Sequence, residues 1–245
     1  MVDPMHFDRV AQAYAATRPP YPDALWRDVR ATGLVAAGRR ALDLGAGTGE
    51  ATGELLARGM DVVAVEPGAQ LADALQARFP RAAVTRSRTE DIQLDAASFD
   101  LVVAATSIHW MDLDVVLPIV RRGLRPDGRL LVWRNVFGDA EAETTPFRRE
   151  VARIVARRGT TRPGNPEDVE ATAEKLARSG LFAVDGIHRY RWTIDLTTEQ
   201  IRGLFSTFSD WMPDEVQEAA DAVAGLGGSV TEHYTSWLIV ASPLG

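Results

Sequence analysis

Three glycines in the spacing G-x-G-x-G, Gly45, Gly47 and Gly49, follow the short apolar run 40–44 and open the helical stretch 48–58, which Gly59 stops. This spacing lets a chain leave a strand, turn sharply and enter a helix with no Cβ between its backbone and a ligand. A second run, 61–66, is β-branched and continuous, as a strand buried on both faces requires. The rhythm continues with a helix over 70–78 that ends before Pro80, a weak strand at 82–85 and a strong one at 99–104. A helix over 113–122 (despite Pro118), the turn Arg125-Pro126-Asp127-Gly128 and a fifth strand at 129–133 follow. Such alternation predicts an α/β fold, a parallel sheet with helices on both faces.

Beyond 135 the pattern loosens. Helices are predicted over 144–158 and 167–179, parted by the breaker Arg162-Pro163-Gly164-Asn165-Pro166. A strand follows at 186–194. Thr197-x-x-Gln200 reads as a capping box that opens a helix to about Ser209. A helix over 214–225 and a strand at 234–240 close the chain, the last two strands forming an antiparallel pair at the sheet edge. The expected organisation is one domain over 1–245. It has an arm or lid at 1–24, a cofactor-binding core at 25–134, and helical substrate-side additions at 135–185 and 197–228.

Composition narrows the chemistry. The 245 residues include no cysteine, which excludes a disulfide scaffold, Cys-ligated zinc, an iron–sulfur cluster and thiol catalysis. That usage fits a reducing compartment, and a cytoplasmic location is expected. No run reaches the length of a membrane span, and no basic-then-apolar leader opens the chain. With 34 acidic against 27 basic side chains the net charge is −7, a poor balance for a nucleic-acid partner. The histidines His6, His109, His188 and His233 are scattered, and no metal site is expected. No G-x-S-x-G is present, against a serine hydrolase. A P-loop would need a lysine after its last glycine, and the single lysine is Lys175.

Two acids flank the glycine turn. Asp43 stands two residues before Gly45 at a strand end, where a buried carboxylate needs a partner. Glu66 ends the second run, 17 residues past Gly49, where a carboxylate can accept hydrogen bonds from both ribose hydroxyls. The dinucleotide fingerprint is G-x-G-x-x-G, a different spacing.

These residues resemble the class I S-adenosylmethionine-dependent methyltransferases, within them the type 11 small-molecule group and its trans-aconitate-methyltransferase-like relatives. The likeness covers roughly 7–134. Ala41-Leu42-Asp43-Leu44-Gly45-Ala46-Gly47-Thr48-Gly49 matches the first family motif, and Val63-Ala64-Val65-Glu66-Pro67 resembles the second. Thr89-Glu90-Asp91 falls at the turn bordering the adenine. Ser98–Val103 and Leu124–Leu130 resemble the fourth strand and the entry to the fifth. Phe7, Tyr14, Arg18-Pro19 and Tyr21-Pro22 resemble an N-terminal arm, and His109-Trp110 a His-Trp pair past strand four. Arg88 departs from the pattern, standing where many relatives carry an acid that contacts the adenine amino group.

The resemblance implies a Rossmann-like, seven-stranded, mostly parallel sheet in the order 3-2-1-4-5-7-6, its last strand antiparallel. It implies S-adenosyl-L-methionine as cofactor, S-adenosyl-L-homocysteine as product, and methyl transfer to a small-molecule acceptor, with O-methylation favoured and a carboxylate among the acceptors. Gly45, Ala46, Gly47 and Gly49 would form the loop under the methionine part, and Glu66 with Pro67 would hold the ribose. Thr89, Glu90 and Asp91 would border the adenine, and Ala104, Ala105 and Thr106 would line the methionine side. Asp43 orients the loop or the cofactor amine, or makes only structural contacts to backbone amides. Tyr14 and Arg18 close over the cofactor carboxylate, or form a surface arm. His109 is the candidate general base, or shapes the pocket with Trp110. Trp192, Phe205, Phe208, Trp211 and Trp237 read as core or substrate wall, and Arg121-Arg122 as a solvated helix face. A carboxylate acceptor would meet Arg18 or Arg134. Competing readings are a nicotinamide-dependent oxidoreductase and a non-enzymatic cofactor-binding protein. A monomer or homodimer is expected.

Overall fold

The computed structural model describes residues 8, 17–158, 168–208 and 210–245. Phe7, Tyr14, His6 and the breaker at 162–166 lie outside the described residues.

Seven strands form one sheet: β1 (Arg40–Leu44), β2 (Asp61–Val65), β3 (Ala83–Thr85), β4 (Phe99–Ala105), β5 (Leu124–Phe137), β6 (Phe182–Thr197) and β7 (Ser229–Pro243). Their order is β3-β2-β1-β4-β5-β7-β6, as the resemblance implied. β1 to β5 pair in parallel. Across β6 and β7, Thr231 bonds Asp195 whereas Ser242 bonds Asp185, so these strands run in opposite directions. β7 also opposes β5, since Ser236 meets Asn135 while Thr235 meets Gly138.

The helices among the described residues are α1 (Asp23–Ala31), α2 (Glu50–Ala57), α3 (Ala69–Arg78), α4 (Leu113–Gly123), α5 (Pro146–Ala156), α6 (Val169–Arg178), α7 (Thr198–Ser206) and α8 (Pro213–Gly225). α1 was not anticipated. It starts at once after Pro22, within the expected arm, and buries Leu25, Trp26 and Val29 on one face. α4 keeps Pro118 inside it, because Val116, Leu117 and Val120 are buried and Asp112 caps its start. The capping box is formed: Thr197 N donates to Gln200 Oε1 at 2.9 Å and Gln200 N to Thr197 Oγ1 at 3.3 Å.

The closing strands are longer than their apolar runs. β6 alternates half-buried and exposed positions over 190–195, and β7 starts with polar, partly exposed residues before its buried run 236–239, so polar outer residues mask the pattern. β5 holds a bulge: Leu124 pairs with Phe99 and Arg129 with Leu101, so the expected turn 125–128 loops out opposite Asp100. Arg125 Nη1 reaches the Asp100 carboxylate at 2.6 Å, and Arg40 N donates to it at 2.9 Å.

The chain divides into two compact units. The sheet unit comprises Pro20–Asn135, Pro166–Tyr190 and Ser236–Gly245, and so holds β1 to β4, α1 to α4 and α6. Its core joins Leu25, Trp26 and Val29 of α1 to Leu55 of α2, Leu75 of α3, and Ala41, Val62, Ala64, Leu101, Val103, Leu131 and Trp133 of the sheet. The helical unit includes α5, α7, α8 and the described residues of 136–165 and 191–235. Its core is Phe147, Val151, Ile154, Leu196, Ile201, Leu204, Phe205, Val216, Ala219 and Val223.

Candidate functional site

Parallel register sets the site. Leu44 of β1 pairs with Val65 of β2, and Asp43 pairs with both Ala64 and Val103. The carboxyl ends of β1, β2 and β4 therefore lie level, and the residues that leave them share one edge: the glycine turn, Glu66, and Thr106-Ser107. In an open α/β sheet this edge is where ligands bind.

Gly45, Gly47 and Gly49 have φ of +63°, +57° and +90°, the left-handed region that glycine adopts without steric cost. A Cβ on Gly45 would lie 2.7 Å from Ser107 Cβ, so the first glycine is needed for packing as well as for the turn. Ser107 hydroxyl donates to Leu44 O and ties the end of β4 to β1.

Glu66 is 5 % exposed. Its Oε2 accepts from Gly47 N at 2.9 Å and its Oε1 from Gly68 N at 2.8 Å. One carboxylate thus clasps both turns. A carboxylate oxygen carries two lone pairs, and a ribose diol is a donor pair of the kind such a group accepts from. Asp43 is fully buried; its Oδ2 accepts from Thr52 Oγ1 of α2 at 2.7 Å, and its Oδ1 accepts no hydrogen bond among the described residues. Burial pushes its carboxyl up to about 7, against the Thr52 hydrogen bond and with help from the charges of Glu50 and Glu66. An unfilled buried acceptor beside left-handed glycines fits a ligand N–H donor.

Thr106 has φ +59°, a left-handed conformation that a β-branched residue rarely holds. It is braced by its N–H to Trp133 O at 2.8 Å and by Tyr21 Oη against its hydroxyl at 2.9 Å. Tyr21 packs edge-on to Trp26 and Trp133. His109 follows in the short turn Ile108–Trp110, its ring 4.8 Å from that of Trp110. Ala104 is buried and Ala105 half-buried at the end of β4.

The adenine candidates are otherwise engaged. Arg88 pairs with Glu90, and Glu90 Oε1 also accepts from Asp112 N at 2.9 Å. Burial works against ionisation of Glu90, but the Asp112 N–H and the Arg88 guanidinium outweigh it and hold the carboxyl below its ordinary value. Thr89 is buried and Asp91 exposed. Pro67 is exposed on the chain between Glu66 and Gly68. Arg18 lies in the helical unit, where its guanidinium stacks on Phe208 at 5.0 Å and donates to Thr207 O at 3.4 Å. Arg134 is half-buried near the end of β5 in the sheet unit. Of the aromatic group, Phe205, Phe208 and Trp211 belong to the helical core, whereas Trp237 is buried in the sheet unit.

Ser107, Thr52 and the Tyr21–Thr106 bond were not anticipated. Their partners lie far away in sequence or side by side only through sheet register, and no local pattern marks them. Among the described residues, no group of His, Cys, Asp and Glu could hold a metal ion, and no helix is long and apolar enough to cross a membrane.

The chain is similar to known methyltransferases. A methyltransferase-domain family model matches residues 42–132, which span the glycine turn, Glu66 and the end of β4. An uncharacterized methyltransferase of Mycobacterium tuberculosis is 35 % identical over 208 residues, 84 % of this chain and 77 % of the relative. A solved structure from Anaeromyxobacter dehalogenans, described as a proposed type II methyltransferase, is 25 % identical with a TM-score of 0.66 over 92 % of this chain and 97 % of its own. The fold is shared at 15 % identity and a TM-score of 0.59 with Haemonchus contortus phosphoethanolamine N-methyltransferase 2, over 98 % of this chain and 58 % of that one. That structure holds S-adenosylhomocysteine. With the family motif on the ligand edge of this sheet and a methyltransferase relative aligned over most of both chains, the protein belongs to the class I S-adenosylmethionine-dependent methyltransferases.

Proposed function

We propose that the chain methylates an oxygen of a small-molecule acceptor. The observation that supports the cofactor end is the Glu66 carboxylate, buried and clasping the turns at Gly47 and Gly68 beside the unfilled Oδ1 of Asp43. Glu66 would hold the ribose and Asp43 the amine end, over the backbone of Gly45, Ala46, Gly47 and Gly49. Pro67, Thr89, Glu90 and Asp91 would border the adenosine. Ala104, Ala105 and Thr106 would line the methionine side, and Tyr14 and Arg18 would close over its carboxylate. When bound, S-adenosylmethionine supplies a methyl group already activated on a sulfonium, for in-line displacement. The protein's own share is alignment and exclusion of water, and alignment alone is worth roughly 7–11 kcal/mol. His109, past the strained Thr106, is the candidate to take a proton from a hydroxyl acceptor. A carboxylate acceptor needs no base and would be oriented by a guanidinium, Arg18 or Arg134.

Calorimetry with S-adenosylhomocysteine and NADH tests the cofactor site: the first is expected to bind and the second not, and the reverse would overturn it. A label-transfer screen of carboxylates, phenols and amines then tests the acceptor. If a carboxylate is the acceptor, Arg18→Ala or Arg134→Ala should lower its turnover at least tenfold; unchanged turnover in both removes the carboxylate reading.

A further inference from the structure

The helical unit carries a polar pair that the cofactor site does not use. Alternation along β7 puts Glu232 and Tyr234 on one buried face, 0 % and 3 % exposed. Among the described residues, neither carboxylate oxygen of Glu232 and not the hydroxyl of Tyr234 has a hydrogen-bond partner. Arg148 Nε is 3.6 Å from Glu232 Oε2, an ion pair too long to be a hydrogen bond, and the Arg18 charge acts on the Tyr234 phenol. Native interiors rarely leave three such atoms unpaired, because each costs free energy until something bonds it.

The surroundings are built around this gap. Arg148 stacks on Phe137 at 4.3 Å and donates to Phe137 O at 3.3 Å. It can lie there only because residue 138 is glycine: φ is +102°, and a Cβ would stand 1.5 Å from Arg148 Nη2. Aromatic rings flank the tyrosine, Phe137 edge-on at 5.4 Å and Trp192 tilted at 4.9 Å. Burial pushes the Glu232 carboxyl up to about 7, opposed by the Arg148 charge, and raises the Tyr234 phenol. A carboxyl so placed accepts hydrogen bonds and disfavours an added anion.

We propose that Glu232 and Tyr234 form a binding subsite for the hydroxyl or amino group of a flat, apolar small molecule, with Phe137 and Trp192 beside it. The inference rests on the methyltransferase reading only in naming that molecule the acceptor.

Ligand-observed NMR titration of the full chain with phenol, aniline and toluene tests it, with S-adenosylhomocysteine affinity measured alongside. Phenol and aniline are expected to bind at least fivefold tighter than toluene. Glu232→Leu should erase that preference and Tyr234→Phe reduce it, with cofactor affinity kept within twofold. Equal binding of the three probes overturns the proposal, as does a preference that survives in both variants. A crystal structure in which a water bridging Glu232 and Tyr234 stays in place under saturating phenol also overturns it. Should S-adenosylhomocysteine fail to bind the unaltered protein, the methyltransferase reading falls while the probe preference still decides the subsite. Tyr234→Phe, which keeps the ring, serves if Glu232→Leu does not fold.

Discussion

Each acid at the ligand edge does two things. Glu66 holds the Gly47 and Gly68 amides, so its removal strands one half-buried and one buried donor as well as any ligand hydroxyl. Glu66→Ala is therefore expected to weaken S-adenosylhomocysteine binding by about 1–3 kcal/mol, read by calorimetry; unchanged affinity would rule out the ribose role. Gly45→Ala should destabilise the fold by roughly 1–3 kcal/mol in urea unfolding, since alanine meets both an unfavourable φ and Ser107. These two positions were legible from residue type and spacing alone. Ser107 was not: its bond to Leu44 joins residues whose nearness exists only once β1 and β4 are paired.

Elements with a chemical signature were readable, and those defined by tertiary contact were less so. The continuous apolar runs of β1, β2 and β4 announced buried parallel strands, and Thr197-Gln200 announced the start of α7. Thr197→Ala should cost about 1 kcal/mol in denaturant unfolding, and Thr197→Ser much less. α1 escaped notice because its start has no side-chain cap, only Pro22, and its stability comes from Leu25, Trp26 and Val29 in the sheet unit's core. The turn at 125–128 and the strand after it carry a sequence signature, but the start of β5 at Leu124 ahead of the turn does not: it depends on pairing with Phe99, and the Asp100 carboxylate anchors the bulge through Arg125.

At the scale of the molecule, the two units were hidden because the helical one is assembled from segments far apart in the chain. Among the described residues each unit holds one buried acid displaced upward, Asp43 in one and Glu232 in the other, both to about 7. The unfolded chain releases these protons near pH 4, whereas the native state keeps them to about pH 7. The native state therefore binds more protons across that window, and both acids lower stability as pH rises through it, levelling off above. Relative to the unaltered protein, Asp43→Asn should gain roughly 2–3 kcal/mol in urea unfolding between pH 5 and pH 8; a pH-independent difference would count against the buried acid. The sheet order has a further consequence for how the chain is made. β7 lies between β5 and β6 yet is translated after both, and it supplies residues to both units. On the ribosome β6 has no neighbour to zip against, so its edge waits exposed until the final strand emerges and threads the gap.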